Sequence, residues 1–142
     1  MHTSFDQETW QSFKASDRAG PIHMLNLIRL HETAHYPDCR TTTGIQAYER
    51  YSEISAPVLK RLDASVVWRG KFELMMVGPS NEVWDICFIA EYPSVGSFVK
   101  MMRDPLYQEA MKHRQVGVAN SRLVRMQPLQ PGSSFADKDT HS

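Results

Sequence analysis

The sharpest chemical string in the sequence is His31-Glu32-Thr33-Ala34-His35, which fits HExxH. In a zinc hydrolase the two imidazoles project from one helix face onto the metal, and the glutamate activates water. Here the string runs at once into Tyr36-Pro37-Asp38, and a proline argues against a continuing helix. A solvated loop is the expectation, and a metal-dependent hydrolase built on His31 and His35 is the least supported reading.

Proton-transfer chemistry has other candidates. His113 falls on a predicted helix, and imidazole is the usual proton carrier at neutral pH, although a surface position would serve it equally. Asp85 is a candidate base whose pKa burial would set, and Arg69 a candidate anchor for a carboxylate or enolate oxygen. Asn26 interrupts an apolar run, where an unpaired amide costs about 1–3 kcal/mol, so it needs either an internal partner or a ligand. Tyr48, Tyr51, Trp68 and Arg114 complete the candidate ligand-binding set. Tyrosines at helical spacing are more often core than catalyst, and eight methionines fit either an adaptable lining or ordinary gap-filling. No GxGxxG, phosphate loop, GxSxG or Cys/His cluster is present, so no cofactor is expected.

The elements that must position these groups follow from pattern. Ser4 to Lys14 reads as a short helix with Ser4 and Gln7 at capping-box spacing. Ile22 to Leu30 reads as the first strand, and residues 31–43 as a polar loop. Thr43 and Gln46 open an amphipathic helix in which Pro57 should produce a kink or a division. Ala64 to Val77 and Glu82 to Tyr92 flank Gly78-Pro79-Ser80-Asn81 as a hairpin. Ser94 caps a further helix, Asp104-Pro105 starts another over Leu106 to Val118, and Ser121 to Gln127 is a last strand.

Strand, helix, strand, strand, helix, strand is the order of an α+β, ferredoxin-like βαββαβ domain: a four-stranded antiparallel sheet with helices on one face. Residues 1–19 would be an added helix and linker, 20–128 the domain, and 129–142 a mobile tail. Pairing Val77 with Val83 sets Arg69 opposite Glu91 and leaves apolar area on both sheet faces. A second copy would cover the exposed side, since removing roughly 800 Å² per partner from water supports association. A homodimer is therefore expected.

Sixteen basic and sixteen acidic residues cancel, so no cationic field favours nucleic acid or an anionic membrane. Neither a secretory signal nor an apolar run of about 18 residues stands out, and Cys39 and Cys87 suit reduced thiols. A cytoplasmic location is the expectation.

Several short strings resemble one family. They are His23-Met24-Leu25-Asn26-Leu27, Tyr48 and Tyr51 before Ala56-Pro57, Trp68-Arg69-Gly70, Trp84-Asp85, Glu91-Tyr92-Pro93-Ser94, Asp104-Pro105-Leu106-Tyr107-Gln108 and Asn120-Ser121-Arg122-Leu123. Together, over about Gly20 to Pro128, they resemble the domain-of-unknown-function 1330 family in its longer variety. The resemblance implies a dimeric α+β barrel and no established chemistry. The expected function is binding of a small, largely apolar carbonyl or carboxylate compound, with cofactor-free isomerase, cyclase or oxygenase chemistry as its catalytic form. The alternative is a noncatalytic dimeric module that binds a metabolite or a protein.

Overall fold

A computed structural model describes residues 1–137. Helix α1 (Gln7–Ala15) precedes strand β1 (Ile22–Leu30), and a small hairpin follows from β2 (Thr33–His35) and β3 (Thr41–Thr43). Then come α2 (Gly44–Arg61), β4 (Ser65–Gly70), β5 (Ile86–Tyr92), α3 (Val95–Arg103), α4 (Pro105–Gly117) and β6 (Val118–Met126). The main sheet has the order β4-β5-β1-β6 and is antiparallel throughout. This is the ferredoxin-like βαββαβ architecture, with β1 in the middle.

Local chemistry starts each helix. At α2 the Thr43 side chain accepts from the Gln46 amide while Gln46 reaches back to the Thr43 N–H, closing the capping box. Ser94 caps α3 through the Ser97 amide, and Asp104 caps α4 through the amides of Leu106 and Tyr107, with Pro105 in the first turn.

Opposed residues of antiparallel strands share a face, so Ile22, Met24, Asn26 and Ile28 lie with Tyr92, Ala90, Phe88 and Ile86 on the helix side. Ile22, Ile28, Val58, Met101 and Val118 are fully buried there, each worth about 1.5–3 kcal/mol relative to exposure. Trp10 and Phe13 of α1 stack on one another and reach Phe98 of α3, which docks α1 on this layer.

Several expectations are corrected. The cap of α1 is Asp6, which accepts from the Thr9 amide, and the Ser4/Gln7 box does not form. Helix α2 runs through Pro57 without division, and the 31–43 loop contains a short hairpin. The β4–β5 pairing is shorter than expected and shifted by three residues: Arg69 faces Phe88, not Glu91, and Val77 and Val83 lie outside the strands. The cause is an irregularity at Val67 together with a long irregular connection over 71–85. An odd shift turns side chains over, so Arg69 lies on the helix side and Trp68 on the outer side. Glu91 instead meets His23, Nε2 to Oε2 at 2.7 Å. Of the expected tail, residues 138–142 lie outside the described residues.

The helix pair α2 and α4 crosses at small residues. A Cβ on Gly44 would overlap the His31 carbonyl, whereas one on Gly117 would lie 3.0 Å from the Gly44 oxygen and 3.2 Å from the Ala47 Cβ. The His31 backbone beside Gly44 cannot yield as a side chain does. Gly44→Ala is therefore expected to cost about 3 kcal/mol and Gly117→Ala about 1 kcal/mol or less, measured by urea unfolding.

Candidate functional site

The helix side of the sheet is not filled. Between it and α1, α2 and α4 lies a cavity of about 1160 Å³. Its walls are largely apolar and aromatic, including Met24, Phe88, Phe98, Met101 and Met111. One cross-strand row, Arg69–Phe88–Asn26–Leu123, forms part of the floor.

Five of the sequence candidates converge here: Asn26, Arg69, Tyr48, Tyr51 and Arg114 all line the cavity. Asn26 donates from Nδ2 to the Met24 carbonyl at 3.0 Å, and no donor among the described residues reaches its Oδ1. Arg69 lies at the mouth on edge strand β4, exposed, and forms no ion pair among the described residues. Arg114 is only 9% exposed. Its one hydrogen bond among the described residues runs from Nη1 to the Thr3 carbonyl at 3.2 Å, and no carboxylate pairs with it.

Three phenols lie near that charge, Tyr48 and Tyr107 buried and Tyr51 partly buried. Tyr51 and Tyr107 share a hydrogen bond of 2.8 Å, while the Tyr48 hydroxyl has no partner among the described residues. Burial is the main cause that raises the pKa of all three above the ordinary tyrosine value; the Arg114 charge opposes it. They stay neutral at pH 7 and can donate. In the Tyr51–Tyr107 pair one proton bridges the oxygens, so the accepting hydroxyl retains a proton to offer the cavity. Tyr107 was missing from the sequence candidates. Its signal was available: it lies in the first turn after Asp104-Pro105, where a helix entering a core buries an aromatic.

The other candidates lie elsewhere. Trp68 is on the outer sheet face, half exposed. Asp85 binds the end of β1, accepting from the Leu30 amide and donating its own N–H to the Ile28 carbonyl, both at 2.7 Å. His113 is on the side of α4 away from the cavity, where its Nδ1 meets the Tyr36 hydroxyl at 2.7 Å. His31 and His35 share no helix, since His35 is in β2 and His31 follows β1. Among the described residues no group of three or more His, Cys, Asp or Glu side chains is placed to hold a metal. Among the described residues no helix is long and apolar enough to cross a membrane.

His113 does leave a titration signature. Burial, followed by repulsion from Arg50, holds its pKa below the ordinary 6.5 despite attraction by Glu109. The unfolded chain therefore binds this proton more tightly, and stability falls as pH drops through that window. The loss of stability between about pH 7.5 and 5.5 should be smaller in His113→Gln than in the parent, as followed by urea midpoints.

Comparisons with known proteins agree with this architecture. The RPA0582 protein of Rhodopseudomonas palustris, a protein of unknown function, is 56% identical with a TM-score of 0.88, over 92% of this chain and 98% of the other. A crystal structure of methylated RPA0582 gives 57% identity and a TM-score of 0.91 over 93% and 98%. No curated protein matches. Residues 39–127 match the family described as Domain of unknown function (DUF1330), and the chain belongs to that family.

Proposed function

We propose that this protein binds a small, largely apolar carboxylate in the cavity beneath its helices. The observation that carries the reading is Arg114: a buried guanidinium, lining an apolar cavity, with one backbone carbonyl as partner and no acid among the described residues. A buried charge in that state is costly, and an incoming anion relieves the cost. A carboxylate adds ion–ion attraction and a second, bidentate bond to what guanidinium makes with a neutral carbonyl, so the ligand's acidic end belongs at Arg114 and its apolar body against the methionines and aromatics. Arg69 at the mouth and the free Oδ1 of Asn26 serve further polar atoms of the ligand.

Binding is favoured over proton-transfer catalysis because the described lining holds no buried Asp, Glu or His; Glu49 and His2 are both exposed. The neutral phenol pair supports a second, catalytic reading. Tyr51 and Tyr107 are suited to donating to an enolate oxygen as charge develops on it, as an isomerase or cyclase requires.

The protein works as a homodimer in this proposal. Leu25, Leu27 and Ile89, with Trp68, Val124 and Met126, form an apolar outer sheet face that is half exposed in a single chain. A two-fold related copy presents the same surface, and a chain with no net charge does not repel its twin.

Calorimetric titration with decanoate and decanol separates charge from apolar body. Decanoate should bind at least about tenfold tighter, and Arg114→Met should erase that preference. Equal affinities in the parent protein contradict the reading. With the uncompensated charge gone, ligand-free Arg114→Met should melt at the same or a higher temperature, which also shows that it folds. In light scattering, Leu25→Asp should halve the mass; a parent protein already monomeric at micromolar concentration removes the dimer.

A further inference from the structure

We propose, resting on the reading of Arg114 as an anion anchor, that residues 2–15 form a strap across the cavity whose Thr3 carbonyl competes with the ligand for that guanidinium. The segment lines the cavity through His2, Thr3, Ser4 and Phe5 and again through Thr9, Trp10 and Phe13. Its carbonyl at Thr3 takes the Arg114 Nη1 donor at 3.2 Å. A neutral oxygen thus occupies the position that an anion would take.

The two ends of the strap are held differently. At the far end Arg125 grips the backbone, with Nη1 to the Phe13 carbonyl at 3.1 Å and Nη2 to the Ser16 carbonyl at 2.6 Å, and its guanidinium lies 4.9 Å from the Phe13 ring centre. Phe13 and Trp10 also contact Phe98. At the near end only hydrogen bonds act besides the Phe5–Trp10 stack: Ser121 Oγ donates to the His2 carbonyl at 2.8 Å, the His2 amide donates to Asn120 Oδ1 at 3.0 Å, and Arg114 holds Thr3. Helix α1 contributes no fully buried residue.

This asymmetry decides how the strap moves. The near end releases first: both ends are held by hydrogen bonds, worth about 0.5–1.5 kcal/mol net or about 1.5–3 kcal/mol where guanidinium donates, but the far end adds the burial of Trp10 and Phe13 against Phe98. A carboxylate makes the stronger, charge-assisted bond to Arg114 and displaces Thr3. Ligand entry and release of residues 2–5 are then one event, with α1 still seated by Trp10 and Phe13. The site stays covered when empty and opens to an apolar acid, not to an apolar alcohol.

Deletion of residues 2–4 tests this while leaving the Asp6 cap and α1 in place. Decanoate should bind the deletion variant about tenfold tighter than the parent chain, with a faster association rate in stopped flow, and decanol should change little. Ser121→Ala, which removes only the bond to His2, should give about a threefold gain. In hydrogen exchange, saturating decanoate should strip protection from the His2 amide, which donates to Asn120, and leave β1 unchanged. If the deletion variant binds decanoate no better than the parent, while Arg114→Met abolishes the preference for the acid, the anion site stands and the competition by Thr3 is refuted. If the parent does not distinguish decanoate from decanol, the anion-site reading fails and the strap proposal with it.

Discussion

The close crossing of α2 and α4 governs the arrangement of the rest. Gly44 lies against the His31 backbone, where a Cβ would overlap, and Gly117 lies against Gly44 and Ala47, where one would be tight. With the backbones that near, residues one to three turns along the two helices face each other across a short gap. Tyr48 and Tyr51 from α2 thereby meet Tyr107 and Arg114 from α4. The crossing also ties the 31–43 insertion to the domain, since the His31 amide donates to the Gly117 carbonyl at 2.8 Å.

A buried arginine without an acid is a poor way to stabilise a fold. Desolvating guanidinium costs several kcal/mol, and neutral phenols and one carbonyl return only part of that. Proteins retain such features where stability is given up for a site, and the apolar surroundings that make the charge costly also strengthen its attraction for an anion. The phenols are adapted to the same environment: burial keeps them protonated, so they act as donors rather than as competing negative charge.

The two faces of the sheet divide the work. The helix side holds the cavity, while the outer side carries an apolar centre bordered by the His23–Glu91 pair and by Arg122, which pairs with Glu82 at 3.1 Å and lies over the Trp84 ring. Pairing at the borders satisfies the charges locally and leaves the centre free of unpaired polar groups, a pattern suited to a self-complementary surface.

Local order was legible in the residues because its causes are local. The bounds of β1, the Thr43/Gln46 box, the Ser94 cap and the Asp104-Pro105 start depend on neighbours within a few positions. The βαββαβ order follows from that layout, and so does the place of Asn26 in the central strand and of Tyr48 and Tyr51 on α2. Register was not legible: the irregularity at Val67 shifts the pairing by an odd number, and no local pattern announces it. Nor was the direction of α4. His113 and Arg114 are adjacent, about 100° apart around the helix. On composition His113 was the natural proton carrier, yet the seating of α4 against α2 turns it to Tyr36 and sends Arg114 into the cavity. Residue type determined which groups were available for chemistry; only the packing of one helix on another decided which of two neighbours faces the cavity, because helix rotation is set by distant contacts such as Gly117 on Gly44.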